Sequence, residues 1–315
     1  MSSAPRLAGK RVYVAGHRGM VGSALVRRLA SENCEILTVG RDEVDLRRQN
    51  EVERWMAKER PEFVFLAAAK VGGIVANASY PAEFLYDNLM IEGNIIHSAK
   101  EIGVEKLLFL GSSCVYPKFA SQPIDESALL TGPLEPTNEW YAISKIAGLK
   151  LCQAYRRQYN INFISAMPTN LYGPGDNYNL QNSHVLPALI RKVHEAKRSN
   201  SEAITLWGTG SPLREFVYVD DLADACVFLM EYYSQEMPIN IGSGQELTIK
   251  ELAGVVAETV GWNGRLEFDE TKPDGTPRKL VNSDRLSNLG WQPRVNLREG
   301  ISGAYDWFLR NHPEA

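Results

Sequence analysis

The sequence predicts an α/β fold: a doubly wound parallel sheet with a smaller, interleaved α/β domain. Three observations carry this. Short apolar runs alternate with helix-like segments through the first half of the chain. A glycine-rich turn joins the first run directly to the first helical pattern. The second half loosens into glycine and proline turns between further helices.

The strand-like runs are RVYVA (Arg11 to Ala15), EILTV (Glu35 to Val39), FVFLA (Phe63 to Ala67), KLLFL (Lys106 to Leu110) and NFISA (Asn162 to Ala166). Between them lie helical patterns at Gly22 to Ser31, Asn50 to Lys58, Pro81 to Glu101 and Tyr141 to Tyr159. Alternation of this kind implies βαβ units, and parallel strands covered on both faces read as continuous apolar runs. After residue 167 come the turns YGPG, GTGSP and KPDGTP, with helices expected at His184 to Ala196, Val219 to Tyr232, Thr248 to Val260 and Leu297 to Arg310. We expect residues 1–167, joined by part of 213–240, to hold a cofactor, and residues 168–315 to form mainly a substrate domain.

The 315 residues suffice for one large or two smaller cores. A net charge of −4 gives no electrostatic case for a nucleic-acid partner. No apolar run approaches the ~20 residues of a membrane span, and the N-terminus lacks a signal-like apolar region. A cytoplasmic protein is expected. Its four cysteines, Cys34, Cys114, Cys152 and Cys226, are scattered without metal spacing, so reduced thiols and no metal site are expected.

The turn after the first run is GHRGMVG, Gly16 to Gly22, a G-x-x-G-x-x-G. It misses the standard dinucleotide fingerprint by one residue. Its glycines still permit close backbone approach, and the helix that follows offers free amides to a pyrophosphate. Gly16, Arg18, Gly19, Met20, Val21 and Gly22 are therefore candidate cofactor contacts. The second run ends in VGRD. Arginine there suits the 2′-phosphate of NADP, whereas NAD sites use an acid. Arg41 and Arg18 favour NADP(H), although Asp42 follows at once and both arginines are equally compatible with a solvated surface. Asp45 and Leu46 either border the adenine or, for Asp45, cap the next helix.

Leu110 and Gly111 end the fourth run, and Ser112 follows at the strand end where α/β ligands bind. Tyr141 precedes Lys145 by four residues, which places both on one helix face. A neighbouring ammonium favours the phenolate, so Lys145 is expected to lower the Tyr141 pKa. Glycine loop, serine and Y-x-x-x-K together resemble the extended short-chain dehydrogenase/reductase family over nearly the whole chain. That resemblance implies a Rossmann sheet, Tyr141 as general acid or base, Lys145 as its tuner and ribose ligand, and Ser112 as a carbonyl ligand. It also implies that Pro168, Thr169, Asn170 and Leu171 border the nicotinamide.

Further motifs narrow the resemblance: GHRGMVGS, AAAKVGGIVAN, GSSCVYPK, EPTNE, MPTNLYGP, NSHV and KPDGTPRK. They are similar to family members that epimerise GDP-4-keto-6-deoxy-D-mannose at C3 and C5 and reduce its C4 ketone with NADPH. This likeness implies Cys114 and His184 as the epimerisation pair, with base and acid unassigned. On the residues alone, Cys114 is equally a structural thiol and His184 a structural histidine beside a helix capped by Asn182 or Ser183. The likeness further implies Lys192, Trp207, Arg214 and Asp274 as substrate contacts, each also readable as surface charge or turn chemistry. KVGGIVAN is expected to shape the sugar pocket, with a plain loop as the alternative. Relatives pair the Pro81 and Tyr141 helices across a homodimer, and ISKIAGLKLC has the small apolar residues such an interface uses. A C4-epimerase or 4,6-dehydratase recycling NAD, or a non-catalytic NADP-binding sensor, are the competing readings.

Overall fold

The computed structural model describes residues 7–180, 182–272 and 274–314. The first half contains β1 (Arg11–Ala15), α1 (Met20–Leu29), β2 (Glu35–Leu37), α2 (Gln49–Glu59), β3 (Phe63–Leu66) and α3 (Ile74–Ser79). It continues through α4 (Pro81–Glu101), β4 (Lys106–Leu110), α5 (Glu139–Tyr159) and β5 (Asn162–Pro168). Then follow β6 (Asn170–Tyr172), α6 (Val185–Arg198), β7 (Ala203–Trp207), β8 (Leu213–Tyr218), α7 (Val219–Tyr232) and β9 (Ile239–Ile241). The chain ends with β10 (Glu246–Thr248), α8 (Ile249–Val260), β11 (Arg265–Asp269), β12 (Arg278–Lys279), α9 (Asp284–Asn288) and α10 (Leu297–Asn311).

Six strands form one parallel sheet in the order β2-β1-β3-β4-β5-β9. Each apolar run splits residue by residue between two faces, because side chains alternate along a strand. Val12, Val14, Phe65, Leu108 and Ile164 meet Leu25 and Leu29 of α1 and Leu222 and Leu229 of α7. Tyr13, Val64, Leu107, Phe109 and Phe163 meet Trp55 of α2, Ile95 of α4 and Leu149 of α5. Burying each such side chain contributes about 1.5–3 kcal/mol, which is why these strands carry almost no polar residue. The order reverses between β1 and β3, and a ligand crevice is expected outside the strand ends at such a switch point.

A separate core joins α6, α8 and α10, using Leu186, Ile190 and Val193, Leu252 and Val256, and Ile301 and Phe308 at helical spacing. A small sheet, β10-β8-β12 with β6 against β8, lies between this core and the crevice residues, and β7 pairs β11. Thr248 and Glu251 close a capping box on α8, and Asn296 caps α10. No described helix is long and apolar enough to cross a membrane.

Two local expectations change. The second half of KVGGIVAN, residues 74–77, lies in the helix Ile74–Ser79 and is not a loop. Neither Asn182 nor Ser183 caps α6; His184 itself is the N-cap residue and makes no side-chain capping bond.

Candidate functional site

The glycine turn is built for close approach. Gly16 has φ +86°, and a Cβ on it would come 2.7 Å from Ala68 in the segment after β3. That left-handed conformation and lack of space explain glycine there. A Cβ on Gly22 would run into the Gly16 carbonyl, so α1 sits tight against the turn. Gly19 is the N-cap residue of α1 and offers no side chain to its amides, leaving them for a ligand at Met20 and Val21. Turn and helix end thus fit a dinucleotide pyrophosphate.

Arg18 pairs with Asp42 at 3.0 Å, both exposed, and Arg41 is exposed beside them. Such a pair is worth little in water, so Arg18 can turn to a phosphate at small cost. Asp45 is not a helix cap. It accepts from the Arg47 backbone and guanidinium, which holds its carboxyl down at about 2, and the N-cap position of α2 belongs to Arg48. Leu46 packs against the core, and its carbonyl accepts from Asn94.

At the end of β4, Gly111 leaves no room for a side chain beside Met167. The next residue, Ser112, accepts from the Cys114 amide at 3.2 Å and so caps a short 3₁₀ turn over Ser113–Val115. This turn aims Cys114 at two side chains from distant segments. Asn138 Nδ2 lies 3.2 Å and Lys279 Nζ 3.3 Å from its Sγ. Crowding pushes the Cys114 thiol up, but the Lys279 ammonium and contacts from Ser112, Lys279 and Asn138 outweigh it, and the net shift is downward.

α5 carries Tyr141 and Lys145 against the same strand end. Lys145 is 2% exposed. Its Nζ donates to the Leu110 carbonyl at 3.0 Å and lies 4.9 Å from the Phe109 ring and 5.9 Å from the Tyr141 ring. It also faces Glu92 of α4, with Nζ 3.0 Å from Oε1. The contact is an ion pair, and neither Glu92 oxygen has a hydrogen-bond partner among the described residues. Burial lifts the Glu92 carboxyl to about 6 despite Lys145. The space for it exists because residue 148 is glycine: a Cβ there would lie 2.6 Å from Oε2.

Glu92 changes the expected chemistry of the tyrosine. Burial raises the Tyr141 phenol well above its ordinary range, Cys114 and Glu92 raise it further, and Ser112 only partly opposes them. Lys145 was expected to lower it, but its charge is countered by the carboxylate behind it. Tyr141 is thus a phenol with a proton to give.

His184 is the exposed N-cap residue of α6. Crowding lowers its pKa and the Lys279 charge lowers it further, so its imidazole is neutral. The loop before it rests on KVGGIVAN: the Gly73 amide donates to Asn182 O at 3.0 Å. Thr169 and Asn170 both donate to Glu215 O, Pro168 ends β5, and Leu171 packs on the first core.

The four candidate substrate contacts converge around the end of β7. Lys192 reaches the Thr205 carbonyl at 3.4 Å, and Trp207 is 62% exposed with Lys272 over its ring. Asp274 accepts from the Thr209 amide and hydroxyl, tying the KPDG turn to the GTG turn. Arg214 is crowded beside Asp274. Pro273, between Lys272 and Asp274, lies outside the described residues. Among the described residues no group of His, Cys, Asp and Glu is arranged to hold a metal.

Three functional candidates escaped the sequence reading: Glu92, Asn138 and Lys279. Asn138 and Lys279 lay inside quoted motifs without a role. Glu92 had only one signal, an acidic residue on the apolar side of a long amphipathic helix.

Residues 12–242 match the model of the NAD dependent epimerase/dehydratase family. The chain is 59% identical over 305 residues to a GDP-L-fucose synthase of Sinorhizobium fredii, covering 97% of each. It is 62% identical over 302 residues to GDP-L-fucose synthase 1 of Arabidopsis thaliana, covering 96% of this chain and 94% of the relative. The solved structure of a GDP-L-fucose synthetase from Naegleria fowleri bound to NADP superposes with a TM-score of 0.92 at 28% identity, covering 100% of this chain and 99% of that one.

Proposed function

The chain belongs to the NAD dependent epimerase/dehydratase family, and on that premise we propose that it converts GDP-4-keto-6-deoxy-D-mannose to GDP-L-fucose. It is an oxidoreductase and epimerase that uses NADP(H). The observation that carries the reading is the pairing of two devices at one strand end: a buried Tyr141–Lys145 helix face, and a cation-bound thiol at Cys114.

NADPH supplies the hydride for C4. The Gly16–Gly22 turn and the first turn of α1 hold its pyrophosphate, with Arg18 and Arg41 at the 2′-phosphate and Asp45 and Leu46 near the adenine. Lys145 would hold the ribose, and Leu110, Gly111 and residues 168–171 would wall the nicotinamide. Ser112 holds the C4 oxygen. Tyr141, kept protonated by burial, delivers its proton to that oxygen as the charge develops there. The ketone acidifies the hydrogens at C3 and C5, and Cys114 and His184 exchange protons at those carbons. Lys192 and Arg214 receive the diphosphate, while Trp207 and Asp274 flank the nucleoside.

Residues 1–167, rejoined by part of 213–240, form the cofactor unit in this reading; α7 packing on α1 supports that division. The four free thiols favour a reducing compartment, the cytoplasm. Exposed Tyr86 and Leu89 on α4 beside Trp140 and Ile143 on α5 favour a homodimer through these helices. Sizing that shows only monomer at micromolar concentration would remove the dimer.

The reaction is tested by incubation with GDP-4-keto-6-deoxy-D-mannose and NADPH in deuterated water, followed by NMR. GDP-L-fucose with deuterium at C3 and C5 is expected. Reduction without deuterium at those carbons would make this a plain 4-ketoreductase. No NADPH consumption would favour an enzyme that recycles NAD.

A further inference from the structure

We propose that Lys279 is a positioning residue that holds Cys114 as a resting thiolate, so that the substrate domain arms the epimerisation base. The proposal rests on the functional reading above for the identity of the reaction, but not for the pairing itself. Lys279 comes from β12, whose register sets it beside Arg214 of β8. Parallel register partners point to the same side, so the small sheet presents two cations toward the end of β4. Lys279 is the one in contact, with Nζ 3.3 Å from Sγ, and no carboxylate ion pair occupies it among the described residues. Asn138 adds a neutral donor at 3.2 Å.

The other charged or titratable groups around the thiol do not substitute for it. Tyr141 on α5 is a protonated phenol. The Lys118 ammonium is neutralised by Glu135 at 2.9 Å. Arg214 feels the Cys114 charge but makes no contact with it, and His184 is neutral. A thiolate is the reactive form of cysteine, and an adjacent ammonium is an established means of raising its fraction at neutral pH.

The step balances without redox change. Cys114 Sγ takes a proton from C3 or C5; the C–H bond breaks, the S–H bond forms, and the electron pair passes into an enolate ending on the C4 oxygen. The neutral His184 imidazole gives its N–H proton to the opposite face, which restores the ketone, and regains a proton from water. Cys114 then releases its own proton to water, and Lys279 favours that release.

Cys114 alkylation by iodoacetamide, followed by mass spectrometry of its peptide across pH 5.5 to 9.5, tests the pairing on the full chain without substrate. Wild type should react with a half-maximal pH below that of an ordinary thiol. Lys279→Met should slow alkylation at pH 7 about tenfold, and Lys279→Arg should stay within about twofold of wild type. An unshifted profile in Lys279→Met overturns the proposal. Should that variant fail to fold, the thiolate absorbance of wild type minus Cys114→Ser decides: titration at or above the ordinary thiol pKa also overturns it. Deuterium wash-in at C3 and C5 without NADPH separates the two readings. A shifted alkylation profile with no wash-in in wild type supports the pairing while sinking the proposed reaction.

Discussion

β4 has a buried lysine at each end, and the two do different things. Lys106 begins the strand and is 1% exposed; Lys145 lies over the strand's last carbonyl and is 2% exposed. Lys106 donates to the Leu229 and Met230 carbonyls in the last turn of α7, where the helix dipole welcomes a cation. Burial and Arg156 still pull its pKa down to about 7. Lys145 has one carbonyl, two aromatic faces and the Glu92 carboxylate. Equal burial therefore says nothing about role. The difference lies in the counter-charge and in which strand end the ligand crevice occupies.

Replacement breaks this comparison most sharply. Lys145→Met should lower kcat for NADPH oxidation by about a thousandfold, within the range of acid–base and positioning losses, while Lys106→Met should keep it within about twofold. Comparable losses in both would mean that the N-terminal edge of the sheet also serves the reaction.

The next effect concerns Glu92. Glu92→Gln leaves a buried ammonium without its carboxylate, which should cost about 3 kcal/mol of unfolding stability in denaturant melts. The lost positioning of Lys145 should also reduce kcat about tenfold. Unchanged stability and unchanged kcat would make the pair incidental.

A smaller effect separates the lysines by pH. The folded pKa of Lys106, about 7, lies below 10.5 for the free side chain. Between those values the unfolded chain holds the extra proton, so stability from this group rises with pH. Relative to Lys106→Met, wild type should gain about 2 kcal/mol between pH 7 and 9 in guanidinium melts. A constant difference between the two proteins would show that Lys106 is not proton-linked. Smallest is the cofactor end: Arg41→Ala should raise the KM for NADPH about tenfold and leave that for NADH nearly unchanged. An equal rise for both cofactors would remove Arg41 from the 2′-phosphate.

The sequence by itself determined the first five strands, the eight long helices among the described residues and the glycine turn, because each depends on neighbours in the chain; β6 to β12, α3 and α9 are too short or too irregular in pattern to be read that way. Continuous apolar runs suffice to place β3 and β4 between two helical layers. The spacing of Tyr141 and Lys145 suffices to place them on one face of α5. Their pKa environment could not be read this way. How firmly Tyr141 keeps its proton depends first on its burial, then on Cys114 and on Glu92, brought in from α4 into the space left by Gly148. Whether Cys114 is a thiolate depends on Lys279, 165 residues away in a strand only two residues long. Asp45 reads from the sequence as an adenine neighbour or a cap, and the Arg47–Asp87 network rules out only the cap. Local periodicity records which face a residue turns toward the core. A charge's energy is set by whatever packs against it, and only the tertiary fold decides that.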